Sequence, residues 1–190
     1  MKVSWGKPTI LVADLDAAPF KWQKMPTPAN GTTQLTTTEG TKNEALVEGG
    51  AAEDVRYDKS KFAMQYDIRA LKGRVKPIRD NDGVVRHNYA LVLQPEDPGC
   101  PGILIQLSAV TVQNTYTAAD GKMWRYKHDA LQLEDETNQV KDGIVAIEYD
   151  SDGSVKKVTF TPEDEADKSY SGKTYDITST EKFTSEASVL

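Results

Sequence analysis

At 190 residues the chain has room for one domain with a shared core, and 38% hydrophobic residues place it outside the composition of disordered chains. Its 29 acidic residues against 23 basic ones give a net charge of -6, which makes the whole chain a poor counter-ion for nucleic acid or anionic lipid. The opening MKVSWG lacks the apolar core of a secretory signal and no apolar run is long enough to cross a bilayer, so the expectation is a soluble protein that folds where it is made.

The dominant pattern has period two, the spacing at which alternate side chains face opposite sides of a strand. A first strand is expected over residues 8–13, PTILVA. Residues 26–58 break the pattern: they are dense in Thr, Gly and Glu and poor in large apolar groups, and a loop of that length inside a compact domain is usually functional or disordered. Residues 62–70 alternate, with Phe62, Met64, Tyr66, Ile68 and Ala70 on one face and Ala63, Gln65, Asp67 and Arg69 on the other. Residues 84–93 and 103–112 are more continuously apolar and β-branched, as expected of central strands covered on both faces or touching another subunit. Residues 122–131 alternate again, with Trp124, Tyr126, His128 and Ala130 sharing a face. Further strands are expected at residues 144–149, 155–160 and 173–178, and one short helix at most, its best candidate being residues 131–140.

Asp-Gly occurs at Asp82-Gly83, Asp120-Gly121, Asp142-Gly143 and Asp152-Gly153, each beside strand-like sequence. Gly supplies positive φ without steric cost and Asp tolerates it, so these pairs predict tight hairpins and sequential antiparallel pairing. Charge is uneven along the chain: residues 1–133 carry 17 basic and 15 acidic groups, whereas residues 134–190 carry 6 and 14. The organisation expected is a main β domain over residues 1–150 and an acidic extension over residues 151–190, adding strands to the same domain.

Groups for catalysis are scarce. His87 and His128 both fall within expected strands, where a structural role outweighs a general base, and Cys100 sits in the proline-rich loop PEDPGCPG with no local cation to activate it. One cysteine closes no intramolecular disulfide, and two histidines nearly empty the supply for zinc, so no metal or other cofactor is expected. The acidic turns at residues 80–83 and 150–153 lack the ligand spacing of a calcium loop, and Gly31 and Gly49-Gly50 lack the Lys-Ser/Thr of a phosphate loop. Trp5, Trp22 and Trp124 with Phe20 would suit a sugar-stacking platform, but scattered aromatics of a β protein more often belong to the core or to subunit contacts.

A family signal lies in the order of several phrases: WGKPTI at residues 5–10, an aromatic followed by MPTP at residues 22–28, GTTQLTTTEGTKNEALVEGG at residues 31–50, and KSKFAMQYDIR at residues 59–69. GKMWRYKHDAL at residues 121–131 continues in the same style. Across about residues 5–149 the chain resembles the major tail tube proteins of long-tailed bacteriophages and prophages.

The resemblance implies an antiparallel β-sandwich or β-barrel protomer with a small helix, which forms six-membered rings by joining inner sheets into one barrel and stacks the rings into a tube. A long loop between early strands reaches a neighbouring ring in such proteins, and residues 26–58 fit it, with Thr32, Thr33, Thr36, Thr37, Thr38, Glu39, Glu44 and Glu48 as candidate contact residues. A second candidate contact is the basic cluster Arg69, Lys72, Arg74, Lys76 and Arg79, expected to meet acidic groups of another subunit. The implied role is structural and not enzymatic: a virion tail conduit, assembled in the host cytoplasm, that passes DNA without tight binding and has no membrane partner. Its partners would be itself, a tape-measure protein, and tail terminator and baseplate proteins. The alternative is a capsid decoration or carbohydrate-binding β-sandwich.

Overall fold

In a computed structural model, residues 3–17, 21–132 and 139–163 are described, together with the backbone of Tyr175–Asp176. The protein is mainly β and antiparallel, and no helix occurs among the described residues. The strands are β1 (Thr9–Asp14), β2 (Trp22–Lys24), β3 (Gln34–Thr38), β4 (Lys42–Leu46), β5 (Ala52–Tyr57), β6 (Lys61–Arg69), β7 (Val84–Gln94), β8 (Gly102–Thr117), β9 (Gly121–Ala130), β10 (Lys141–Tyr149), β11 (Val155–Pro162) and β12 (Tyr175–Asp176).

The long β8 organises the sandwich. One edge of β8 pairs with β7; its other edge pairs first with β10, through Gly102, Ile103 and Leu104, and then with β9, from Ser108 to Thr117. One branch therefore runs β12-β11-β10-β8-β7-β1-β2, and the other continues from β8 through β9 and β6 to β3. Alternation along the shared strands feeds two apolar cores. Ile10, Val12, Leu91 and Ile105 join Met64, Tyr66, Ile68, Trp124 and Tyr126 in the first. Leu11, Ala13, Ala90, Val92 and Leu104 turn the other way and meet Val145, Val158 and Phe160 in the second. Residues 90–92 of β7 and most of residues 102–110 of β8 are thus covered on both faces by their own chain, whereas the start of β7 is open, with Val84 63% exposed.

Three of the four Asp-Gly pairs lie at turns. Asp82 and Gly83 both have positive φ, at 50° and 86°, between Asn81 and Val84, whose backbones exchange two hydrogen bonds. Asp120-Gly121 closes β8 to β9 and Asp152-Gly153 closes β10 to β11. Asp142-Gly143 is different, because it lies inside β10, where Gly143 pairs with both Gly102 and Pro162. A Cβ on Gly143 would lie 2.3 Å from the Thr161 carbonyl oxygen and 2.7 Å from the Phe160 ring, so this glycine serves a close approach of strands.

Residues 26–58 depart from the expectation of an irregular loop. They contain β3, which pairs with β6 from Gln34↔Gln65 to Thr38↔Lys61, and the hairpin β4–β5, which forms a separate two-stranded sheet. The helix candidate at residues 131–140 falls largely outside the described residues, and Leu131 and Gln132 have no regular structure. β11 extends the sheet beyond residue 150 by pairing with β10 from Gly143↔Pro162 to Tyr149↔Val155.

Candidate functional site

The hairpin β4–β5 is an arm without a core of its own. Every residue from 41 to 59 is exposed. In the arm ladder Lys42 faces Tyr57 and Glu44 faces Val55, while a bulge shifts Leu46 opposite Ala52. Side-chain alternation therefore puts Leu46, Val55 and Tyr57 on one side, where they stand 61%, 41% and 66% exposed. At the tip, Val47 N donates to the Ala51 carbonyl and Gly50 N to the Val47 carbonyl, which leaves Glu48 beside the turn and Glu53 at the bulge. At the root, Asp58 N donates to the Thr41 carbonyl, and a Cβ on Gly40 would lie 1.8 Å from the Asp58 carbonyl oxygen.

The candidate contact residues divide accordingly. Thr36, Thr37 and Thr38 are on the exposed β3, which has β6 on one side and no strand on the other among the described residues. Glu39 precedes the arm, Glu44 is on β4 in an ion pair with Lys42, and Glu48 is at the tip. Thr32 and Thr33 lie before β3; Thr32 Oγ1 donates to the Ala29 carbonyl and accepts from Asp67 N, so it secures the approach to the sheet.

The basic cluster also divides. Arg69 donates to the Asp120 carbonyl at 2.6 Å, Arg74 to the Arg69 carbonyl at 2.9 Å, and Lys76 is bound to Asp80. Lys72 and Arg79 have no partner among the described residues. Lys76, Arg79 and Asp80 line a surface cavity of about 620 Å³ with Val75, Val84 and Arg86. Arg86, inside β7, was hidden in the sequence by its apolar neighbours; it too has no partner among the described residues.

At one side of that cavity Asp14, Asp16 and His87 hold ligand-type atoms within 4.8 Å of one another, the one such group among the described residues. Their atoms already serve one another. His87 Nδ1 is 2.8 Å from Asp14 Oδ2, Asp16 N donates to Asp14 Oδ1, and Asn88 N donates to Asp16 Oδ2. The hydrogen bond with the Asp14 carboxylate raises the pKa of His87.

His128 lies in the first core, fully buried between Tyr66 and Ser108. Ser108 donates to the Tyr89 carbonyl at 2.7 Å, so its oxygen accepts from His128 Nδ1–H at 3.2 Å, and His128 Nε2 then accepts from the Tyr66 hydroxyl at 2.8 Å. Burial pulls the imidazole pKa down to about 3, so it stays neutral. A serine beside a histidine invites comparison with nucleophilic catalysis. Here all three side chains are sealed in the core, and the second nitrogen faces a phenol where a triad has a carboxylate.

The aromatic platform does not form, because Trp22 and Trp124 are buried at 7% and 8% exposure; Trp5 is 80% exposed, and Phe20 lies outside the described residues. Cys100 is buried and free. The acidic turn at residues 150–153 is closed by Ser154, whose hydroxyl donates to Asp152 at 2.6 Å.

No family model matches this chain, and no curated protein matches it.

Proposed function

We propose that this chain is a structural virion protein that assembles into stacked rings, hexameric as in the proteins it resembles, and forms a tail tube for DNA ejection. The observation that carries the reading is the arm, in which an ordered hairpin exposes Leu46, Val55 and Tyr57 and buries nothing in its own protomer. An isolated two-stranded hairpin is marginal in water, so a segment of this kind gains its stability by packing on a neighbour.

The sheet β3-β6-β9-β8-β7 supports the same reading. It ends in two unlike edges: β3 on one side, and residues 84–87 of β7 on the other, where β1 pairs only from Tyr89 onward. Open edges of a sheet are templates for addition, and two unlike edges suit head-to-tail closure into a ring.

The sheet face turned away from the core also suits a conduit that does not retain its cargo. Two of its cations are neutralised within the protomer: Asp67 takes two hydrogen bonds from Arg125 at 2.9 and 3.1 Å, and Lys127 lies 3.4 Å from Asp129. Cations already paired release few counter-ions when phosphates approach. On this account inertness toward DNA comes from local pairing as well as from net charge.

The partners would be further copies, a tape-measure protein, and terminator and baseplate proteins, in the virion tail after assembly in the host cytoplasm. The carbohydrate-binding reading loses its platform with the burial of Trp22 and Trp124. Negative-stain imaging of the purified chain tests the proposal through the presence of rings or tubes of uniform bore.

A further inference from the structure

We infer that the arm tip of one copy seats in the Arg79–Arg86 cavity of the neighbouring copy. This rests on the ring-building reading above and adds the receiving surface, which that reading leaves open.

The two surfaces complement each other in polarity and charge. The tip offers Leu46 and Val55 beside the carboxylates of Glu48 and Glu53, neither of which has a partner among the described residues. The cavity offers Val75 and Val84, 71% and 63% exposed, beside the guanidinium groups of Arg79 and Arg86. Its own acids are already engaged: Asp80 by Lys76 and the backbone N–H of Gly83, Asp14 by His87. Two free guanidinium groups therefore remain for carboxylates that their own chain does not supply, and guanidinium–carboxylate pairing is strong and directional.

Topology brings the two together only between copies. The arm grows from β3 and returns into β6, whereas the cavity opens beside the start of β7, at the opposite edge of the same sheet. Head-to-tail succession of copies puts the root of one arm next to the neighbour's residues 84–87. Paired strands of five residues reach roughly 17 Å, enough to cross from an edge to an adjoining cavity. The contact is heterologous, so each copy gives one arm and receives one.

The test uses the full chain with Cys100→Ala and two new thiols, Val55→Cys on the arm and Val84→Cys at the cavity. Mild oxidation should give a covalent ladder extending past dimers, while either single-thiol variant stops at dimers. In parallel, Arg79→Glu with Arg86→Glu should reduce tube yield at least tenfold, and adding Glu48→Arg with Glu53→Arg should restore it. If the reversed variant fails to fold by circular dichroism, the cross-linking decides alone. Assembly of the unmodified protein without a ladder, with tubes undiminished on charge reversal, overturns the seating and leaves ring building intact. An unmodified protein that never assembles overturns both. Loss of duplex DNA retention on reversal, with tubes still forming, overturns the seating by showing a phosphate site.

Discussion

Gly40 and Asp58 meet at the root of the arm so closely that any side chain on the glycine would strike the Asp58 carbonyl oxygen, 1.8 Å from an ideal Cβ. The two chains entering the hairpin are thereby held together before β4 and β5 begin. Gly40→Ala should force them apart and re-aim the arm. Because residues 41–59 contribute nothing buried, the expected cost in global stability is within about 1 kcal/mol, while assembly fails. A thermal melt checks the first half and electron microscopy the second.

The Tyr66–His128–Ser108 chain predicts a sharper stability effect. Tyr66→Phe removes the donor to His128 Nε2 and leaves a buried acceptor unsatisfied, at a cost of about 1–3 kcal/mol, read by denaturant unfolding. The same histidine sets an acid dependence. Its folded pKa of about 3 lies below the ordinary imidazole value of 6.5, so between those values the unfolded chain binds the extra proton. This contribution is complete above about pH 6.5 and is lost progressively as pH falls toward 3. His128→Gln should flatten that part of the pH–stability curve, and an unchanged slope would assign it to other groups.

Asp67 is 1% exposed and accepts both hydrogen bonds of Arg125, whose side chain is 38% exposed. Asp67→Ala should cost about 1.5–3 kcal/mol, the range for hydrogen bonds to charged groups, since the arginine keeps access to water. It should also raise low-salt retention of duplex DNA by freeing a cation on the outward sheet face, which a filter-binding titration reads.

Val158 and Phe160 are fully buried in the second core, against Val92, Leu104 and Val145. A chain ending at residue 150 loses both, together with the strand covering β10. Phe160→Ala alone should cost about 3–5 kcal/mol. The truncated chain should unfold with a broad transition or fail to accumulate in soluble form, and a cooperative melt at the full-length temperature would make the extension dispensable.

Much of the sandwich was legible because half-buried strands write their burial into the sequence. Met64, Tyr66 and Ile68 alternate with Gln65 and Asp67, and Trp124, Tyr126 and His128 with Arg125 and Lys127, as β6 and β9 require. The arm left no such trace: KNEAL and AEDVRY are exposed on both faces, so there is no buried side to alternate with, and the segment reads as loop. Asp142-Gly143 misleads for the opposite reason, since its glycine answers tight packing between strands and not a turn. The cavity is built mostly from residues 75–89, and it was illegible because nothing in that stretch shows that Asp14 and Gln23 complete its wall.

The central claim is self-assembly through the arm, and mass measurement of the purified full chain by light scattering over rising concentration, beside a variant with residues 41–58 replaced by a short Gly-Ser link, tests it most directly. The full chain should pass to ring-sized and larger species, while the armless variant keeps β3, β6 and the strand signal of the sandwich but forms no stacked tubes. A full chain that stays monomeric at the highest concentration, or an armless variant that builds tubes as readily, would contradict the account.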